Sequence, residues 1–341
     1  QNPLPQGNSL YSVTFISSTV GWAVGDAGTI LKTTNGGTNW LVQSSGTSNG
    51  LNSLHFIDVN TGWVVGGTFL TSIILKTTNG GTNWITQSSG TSKWLQSVYF
   101  SDVNTGWAVS YLTILKTTNG GTNWMEQTSG TNNDLFSVHF TDINTGWAVG
   151  GSGTIIKTTN GGTNWFMQSS GTSYWLWSVQ FTDVNTGWTL GSSGMILKTT
   201  NGGTNWFTQS SGTSNNLQAV YFTDVNTGWA VGYLTILKTT NGGTNWFTQS
   251  SGTGYGLYSV YFTDVNTGWT AGETGAIFKT TNGGTNWLTQ SSGTSYNLQS
   301  VYFTDVNTGW AVGGWSTILK TTTGGMNWFT LSTEIGEYWR S

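Results

Sequence analysis

The chain has 341 residues, of which 7% are charged and 14% aromatic, and its formal net charge is −3. With Arg340 as its one arginine and no basic stripe, the sequence excludes nucleic acid binding through phosphate contacts. The absence of cysteine excludes disulfides, thiol catalysis and thiolate-bound zinc. No apolar run approaches the ~18 residues that a membrane span requires.

Two series of tryptophans divide the chain into repeated units. The tryptophan near the end of each unit recurs every 40 to 44 residues, at Trp40, Trp84, Trp124, Trp165, Trp206, Trp246, Trp287 and Trp328. A second tryptophan follows a glycine in each unit, at Trp22, Trp63, Trp107, Trp147, Trp188, Trp229, Trp269 and Trp310. Two series of eight members predict eight structural repeats.

In chain order, each unit consists of four short strands bounded by turn residues. In the sixth unit we expect strands at 217–223, 228–232, 235–239 and 245–249. Four strands in each of eight units predict an all-β fold, an eight-bladed β-propeller with four antiparallel strands per blade. Because the first unit starts with its inner strand and the last ends with its outer strand, closure needs no exchanged strand.

The repeat also predicts the domain organisation. We expect a single propeller over residues 1–331, followed by a C-terminal tail at 332–341. The blades are expected near 8–48, 49–92, 93–132, 133–173, 174–214, 215–254, 255–295 and 296–331.

The segment 33–40, T-T-N-G-G-T-N-W, resembles the Asp-box of BNR-like propellers and recurs in every unit. The eighth copy departs from it with Thr323 and Met326. The longer pattern around the box resembles the repeats of photosystem II assembly-factor propellers and of secreted Bacteroidetes-like repeat proteins. The resemblance covers residues 10–331 and implies that the box forms the turn between strands three and four. In that turn the glycines take positive φ, the Asn bonds backbone N–H groups and the Trp packs between sheets.

Related propellers include enzymes, but this chain lacks their machinery. Sialidases need three arginines to hold a carboxylate, and one arginine excludes them. Xyloglucanase-like hydrolases use two carboxylates, whereas here seven aspartates occupy one equivalent position, at Asp58, Asp102, Asp142, Asp183, Asp224, Asp264 and Asp305. Because an active site should be singular, we predict no catalytic residue.

No metal site or cofactor is predicted either. The D-V-N-T-G run holds one carboxylate and lacks the terminal Glu of a calcium loop, so we interpret it as an Asx-turn and keep calcium as the alternative. His55 and His139 lie two units apart and are interpreted as strand residues. Eight lysines, from Lys32 to Lys320, share a position in strand three. They are expected to be solvated or bonded to loop oxygens, with a functional ring of positive charge as the alternative.

The copies differ mainly in the loops after strands two and four, which should emerge on one face. These loops hold Lys93, Trp94, Tyr174, Trp175, Tyr255 and Tyr296 between units, and Phe69, Tyr111, Tyr233 and Trp315 after strand two. Trp177 and Tyr258 begin inner strands beside this face, and Tyr174, Trp175 and Trp177 form the densest group. Exposed aromatics on a rim suit peptides, sugar rings or another protein, and drift in unconstrained loops is the alternative.

These observations predict a non-enzymatic, exported bacterial propeller that binds a partner or scaffolds a surface assembly. The partner would be a protein or a glycan, without nucleic acid or a membrane span, and self-assembly is a further possibility. A lectin with repeated glycan pockets is the alternative, followed by a glycan hydrolase. Because the chain begins at Gln1 and has no signal peptide, we expect a mature protein that is secreted or at the cell surface.

Overall fold

A computed structural model describes residues 8–110, 112–250, 252, 254–315 and 317–331. Eight four-stranded antiparallel sheets make up this part of the chain, and each contains four strands that are consecutive in sequence. The first strands of successive sheets contact one another, and the eighth sheet contacts the first. The predicted eight-bladed β-propeller with four antiparallel strands per blade is confirmed.

The strands have nearly the same bounds in each blade. The first strands are β1 Leu10–Phe15, β5 Gly50–Phe56, β9 Leu95–Phe100, β13 Leu135–Phe140, β17 Leu176–Phe181, β21 Leu217–Phe222, β25 Leu257–Phe262 and β29 Leu298–Phe303. The second strands are β2 Gly21–Gly25, β6 Gly62–Thr68, β10 Gly106–Ser110, β14 Gly146–Gly150, β18 Gly187–Gly191, β22 Gly228–Gly232, β26 Gly268–Gly272 and β30 Gly309–Gly313.

The outer half of each blade is shorter. The third strands are β3 Ile30–Thr33, β7 Thr71–Thr77, β11 Thr113–Thr117, β15 Ile155–Thr158, β19 Ile196–Thr199, β23 Thr235–Thr239, β27 Ile277–Thr280 and β31 Ile318–Thr321. The fourth strands are β4 Leu41–Gln43, β8 Ile85–Gln87, β12 Met125–Gln127, β16 Phe166–Gln168, β20 Phe207–Gln209, β24 Phe247–Thr248, β28 Leu288–Gln290 and β32 Phe329–Thr330. Short 3-10 turns follow four second strands, at Asp26–Gly28, Gly151–Gly153, Ser192–Gly194 and Glu273–Gly275.

The box turn explains why the fourth strand starts later than the sequence predicted. In blade one, Thr33 Oγ1 accepts a hydrogen bond from the Gly37 N–H at 2.6 Å, and Asn35 Oδ1 accepts one from the Asn39 N–H at 2.9 Å. Gly36 and Gly37 have φ values of +65° and +79°, where a side chain is strained. Because these bonds hold the backbone in a turn up to the box tryptophan, pairing with strand three begins only at the next residue, Leu41.

The core lies between blades rather than within them. At the junction of blades one and two, the Trp22 ring stacks on Phe56 with centroids 3.7 Å apart, and Trp84 meets the same phenyl edge-on at 5.9 Å. The second-strand tryptophans are fully buried, and of the box tryptophans only Trp84 is half-buried rather than buried. A single blade cannot bury these rings, so each blade is stable only against its neighbours.

Within the described residues, the ring closes by packing between the last blade and the first, and the sheets of both blades consist of consecutive strands. Phe15 of blade one stacks on Trp310 of blade eight with centroids 3.6 Å apart. The Tyr302 hydroxyl donates a hydrogen bond of 3.3 Å to the Phe15 carbonyl. The predicted C-terminal tail at 332–341 lies outside the described residues.

Candidate functional site

The turns after strand two and the linkers after strand four lie together, as the sequence predicted. In blade six, Tyr233 forms an isolated antiparallel bridge with Gly256 of the following linker. The Leu234 N–H donates to the Tyr255 carbonyl at 3.2 Å. We call this end of the ring the variable face, and the end formed by the box turns and the D-V-N-T-G turns the constant face.

Seven turns on the variable face place a non-glycine residue in the left-handed region. These residues have φ between +51° and +64°: Ala27, Leu112, Ser152, Ser193, Leu234, Thr274 and Trp315. Such a backbone disfavours residues with a side chain, and it concentrates at functional sites. The residue at this position is exposed in each of these turns.

Among the described residues of the variable face, several aromatic side chains pack against one another in pairs. Phe69 meets Trp94 edge-on with centroids 5.4 Å apart, and Trp175 lies 5.5 Å from Phe136. Tyr296 stacks on Trp315 at 5.7 Å with 23° between the rings. The structure thus brings together residues that lie as far apart in the sequence as Phe136 and Trp175. Aromatic pairs of this kind contribute more stabilising free energy than the burial of their surface alone provides.

The predicted binding residues differ in exposure. Trp175 is 50% and Trp315 63% exposed. Tyr174, Tyr233, Tyr255 and Tyr296 are also exposed, whereas Lys93, Trp94, Trp177 and Tyr258 are half-buried. Tyr111 lies outside the described residues. A binding role for this set therefore stays a prediction, with Trp175 and Trp315 the most accessible tryptophans in it.

Lys93 has a local structural explanation. Its ammonium donates to Thr113 Oγ1 at 3.1 Å and lies 4.0 Å from Glu126 Oε1. Thr113 donates in turn to the same carboxylate at 2.6 Å. In other blades an asparagine takes the place of Lys93, since Asn133 donates to Thr154 Oγ1 at 2.8 Å. Lys93 therefore makes the same linker-to-strand hydrogen bond that an asparagine makes in other blades.

Two acidic positions on this face, Asp26 and Glu273, were not among the residues predicted from the sequence. The Tyr258 hydroxyl donates to Glu273 Oε1 at 3.1 Å, and the Gly256 N–H donates to Glu273 Oε2 at 2.9 Å. The Tyr11 phenol lies near Asp26, and burial together with that carboxylate raises the pKa of Tyr11 to about 12. The signal was available, because each acidic residue follows its second strand where other copies have Gly, Ser or Tyr.

The blade-two hairpin is a second feature that the sequence analysis did not single out. Strands β6 and β7 each have seven residues, and their connecting turn exposes Phe69 by 75%. The 44-residue spacing between Trp40 and Trp84 was the signal. This hairpin breaks the eightfold similarity of the variable face.

Shallow depressions lie between turns and linkers of this face. One of about 610 Å³ is lined by 27–29 and 42–48, and one of about 330 Å³ by Leu112 and 126–132, at equivalent positions of blades one and three. A third, also about 330 Å³, lies where blade eight meets blade one, beside Tyr296 and Trp315.

The constant-face aspartates form Asx-turns. Asp224 Oδ1 accepts hydrogen bonds from the Asn226 and Thr227 N–H groups at 2.7 and 2.9 Å. Desolvation acts to raise the pKa of Asp224, but these backbone donors outweigh it and hold the pKa below its usual range. Within the described ranges no three acidic or histidine side chains lie together as a metal site.

The two histidines belong to strands, as predicted. His55 lies in β5, 5.3 Å from the Tyr99 ring of the next blade, and His139 lies in β13. Burial lowers the pKa of both to about 4, although backbone hydrogen bonds with Phe100 and Phe181 oppose the shift. Both rings are therefore neutral at pH 7.

The lysines of strand three make an aromatic contact that was not predicted from the sequence. Each ammonium lies over the second-strand tryptophan of its own blade, at 5.3 to 5.8 Å from the ring centroid. The register causes this, because Lys32 is paired directly with Trp22. These eight lysines are accounted for by cation–π contacts within the fold.

Comparison with known proteins identifies a family. The family model described as "Photosynthesis system II assembly factor YCF48" matches residues 1–90, 126–208, 166–250, 200–289 and 249–336. A search of curated proteins finds no match. Among the described residues, no helix is long and apolar enough to cross a membrane.

Solved structures share the fold at low sequence identity. A structure of YCF48 bound to D1 peptide is 20% identical with a TM-score of 0.64, over 94% of this chain and 93% of that one. YCF48 from Cyanidioschyzon merolae is 24% identical with a TM-score of 0.62, over 80% of this chain and 94% of that one. The GH74 enzyme of Niastella koreensis is 13% identical with a TM-score of 0.58, over 96% of this chain and 73% of that one. At these identities the likeness shows the fold alone.

The expected localisation is corrected by the family match. We predicted a secreted or cell-surface protein, whereas the matched family is that of a photosystem II assembly factor and not of secreted proteins. The expectation rested on Gln1 as the first residue of the sequence, and the identity of a first residue does not determine where a protein is located.

Proposed function

The chain belongs to the family of photosynthesis system II assembly factor YCF48, and from this premise we propose that it is a non-catalytic scaffold that binds a protein partner. An extended segment of the partner would lie across the variable face. The solved relative bound to a D1 peptide supports a peptide as the form of ligand. Peptide recognition by exposed aromatics on a rigid scaffold is a common mode of binding.

The unequal use of aromatics on the two faces carries the proposal. On the constant face, each box tryptophan and each second-strand tryptophan is part of a blade junction. On the variable face, Trp175 has a tryptophan counterpart in blade three alone, Trp94, and Trp315 stands where other blades have Ala, Leu, Ser or Thr. Trp175 is 50% and Trp315 63% exposed. Large exposed rings cost free energy in water and give much contact area at low entropic cost when a partner covers them.

The carboxylates support a non-catalytic function. Asp224 and its six equivalents are each held by two backbone N–H groups of their own turn, which leaves them structural. Glu273 accepts bonds from Tyr258 and from the Gly256 backbone. The GH74 likeness concerns the fold and brings no catalytic pair with it.

A selection from displayed random dodecapeptides tests the proposal. The full chain is the bait, and each enriched peptide is then measured against Trp175→Ala and against Val184→Ala, an exposed constant-face control. We expect peptides that bind the wild type and the control alike and lose affinity for Trp175→Ala. Enriched peptides that respond only to constant-face substitutions, or no enrichment over an unrelated propeller, would overturn the proposal.

A lectin with repeated glycan pockets is the second candidate. Equivalent depressions between the turn after strand two and the following linker in blades one and three favour it. A glycan array probed with the same full chain distinguishes the two functions. Binding of one glycan class, lost when both depressions are filled by Ala27→Trp and Leu112→Trp, would replace the peptide-binding proposal.

A further inference from the structure

One arc of the variable face, from blade seven through blade eight to blade one, combines aromatic faces with negative charge. Its centre is the stacked pair Tyr296 and Trp315, whose side chains are 44% and 63% exposed. They line a depression of about 330 Å³ together with Ser9 and Asn297. Trp315 stands at a turn apex with a φ of +53°, so the fold holds this large ring outward at a cost in backbone strain.

The turns that carry Glu273 and Asp26 lie on the two sides of this depression, and backbone N–H groups of these turns donate to residues that line it. On one side, the Thr274 N–H donates to Asn297 Oδ1 at 3.0 Å, which joins the turn of Glu273 to the depression. On the other side, the Asp26 N–H donates to the Ser9 carbonyl at 2.8 Å. Residues at the two ends of the chain thus form one continuous surface.

In the described part of the chain, a phenol lies beside each of the two acidic side chains. Tyr258 donates to Glu273 Oε1 at 3.1 Å, and the Tyr11 phenol lies near Asp26. A phenol is a neutral donor and brings no positive charge to a carboxylate. The arc therefore combines two acidic side chains with an exposed aromatic pair.

The rest of the variable face does not supply a counter-charge to this arc. In the described ranges, this face carries the carboxylates Asp26, Glu126, Asp134 and Glu273. Its ammonium group, Lys93, lies against Glu126 in blade three. The face is thus acidic, whereas the eight strand-three lysines already lie over the tryptophans at the blade junctions. An external cation would complete the arc, by charge complementarity with the carboxylates and by cation–π attraction to the rings.

Given the proposed function as a protein-binding scaffold, on which this inference rests, we propose that this arc is a pocket for a lysine or arginine side chain of the protein partner. The cationic group lies over the Tyr296–Trp315 pair, with Asp26 and Glu273 on its two sides. The pocket selects partner segments by charge, and the other aromatic pairs of the face contact apolar residues of the same segment. It is a specificity-determining part of the scaffold.

The test uses fluorine NMR on the full chain labelled with 5-fluorotryptophan, in which Trp315→Phe assigns the relevant signal. The probe is the capped peptide Gly-Gly-Lys-Gly-Gly, and its twin with acetylated lysine is the uncharged control. We expect the lysine peptide to shift the Trp315 signal in a saturable, salt-sensitive way, and the acetylated twin to leave it unmoved. Asp26→Asn and Glu273→Gln should each weaken binding about two- to fivefold, as for a partly exposed charge contact. Val265→Ala, on the constant face, should bind as the wild type does.

The outcomes separate the pocket from the proposed function. Displayed peptides that bind the variable face without enrichment of lysine or arginine, together with an unmoved Trp315 signal, would overturn the pocket and leave the scaffold function standing. A lysine-dependent shift with no displayed peptide selected would overturn the scaffold function and assign the pocket to a small organic cation. Equal shifts by both peptides would show that charge is not recognised, and would sink the inference.

Discussion

The indole Nε1 of Trp22 donates a hydrogen bond of 3.2 Å to the carbonyl of Gly80, in the box turn of the next blade. Seven junctions have this bond, with donor–acceptor distances of 3.0 to 3.2 Å. The junction that closes the ring lacks it, because Trp310 Nε1 is buried without a hydrogen-bond partner among the described residues. The closing junction therefore has the same ring stacking but one bond fewer.

This difference predicts unequal effects of one substitution. Trp229→Phe removes the bond to the Gly283 carbonyl and should lower the free energy of unfolding by about 1–2 kcal/mol more than Trp310→Phe, which removes no such bond. Urea unfolding followed by circular dichroism measures both variants. Equal losses would mean that the indole bond does not stabilise the junction.

The box tryptophans should differ according to their burial. Trp206 is 8% exposed and meets Phe181 edge-on at 5.9 Å, so Trp206→Ala should cost about 3–5 kcal/mol, as for a large core aromatic. Trp84 makes the equivalent contact but is half-buried, and Trp84→Ala should cost clearly less. Thermal unfolding of the two variants compares them. A loss below about 1 kcal/mol for Trp206→Ala would place that ring outside the core.

The two histidines should make the free energy of unfolding decrease as the pH is lowered through a defined window. The pKa of His55 and His139 is about 4 in the folded chain because of burial, against an ordinary 6.5. The unfolded chain therefore binds protons first, so stability is complete above pH 6.5 and is lost as the pH falls from 6.5 towards 4. Replacing both by glutamine, the residue that Gln180 provides at the equivalent position, should flatten this part of the profile.

Glutamine is a suitable replacement because Gln180 already bonds the Phe222 backbone of the next blade. Its Oε1 accepts from the Phe222 N–H at 2.9 Å, and its Nε2 donates to the Phe222 carbonyl at 3.2 Å. Urea midpoints measured across the pH range give the profile. An unchanged slope in the double variant would assign the loss of stability to other groups.

The turn aspartates affect stability at a lower pH than the histidines, because they are ionised in the folded chain and lose their charge on protonation. The pKa of Asp224 lies below its ordinary 3.8, so its contribution is present above that pH and is lost as the pH falls through the folded value. At pH 7, Asp224→Ala should destabilise the chain by about 1 kcal/mol, because two backbone N–H groups lose their acceptor. Asp224→Asn keeps an acceptor oxygen and should cost less. The reverse order, found by urea unfolding, would show that the turn bonds are unimportant.

The aromatic pairs should contribute to partner binding without supporting the ring. Trp175→Ala and Trp94→Ala should each weaken binding of a selected peptide by about 1–3 kcal/mol, as for hot-spot aromatics. Trp175 is half-exposed, so the unfolding midpoint of its variant should stay near that of the wild type. Calorimetric titration measures the affinity. Full affinity in both variants would show that these loops vary by drift.

Much of the architecture could be predicted from the sequence because its determinants repeat or act locally. Eight copies of two tryptophans predicted the number of blades, and the box residues predicted a turn whose bonds join positions four apart, such as Asn35 and Asn39. Turn chemistry needs no tertiary partner. The fourth strand was predicted too long because periodicity alone does not show where these bonds release the backbone for pairing.

The candidate site depended more on the tertiary structure. The sequence placed the non-repeating aromatics on one face but did not show that Lys93 completes a local network with Thr113 and Glu126. It showed Asp26 and Glu273 at one repeat position but not that their blades lie close together, since 247 positions separate them in the chain. By itself the sequence determined what each blade is, because strand period and turn bonds are local. Only the packing of each blade on the next decided which residues of different blades meet, and the surface that includes both Asp26 and Glu273 exists only once the eighth blade packs on the first.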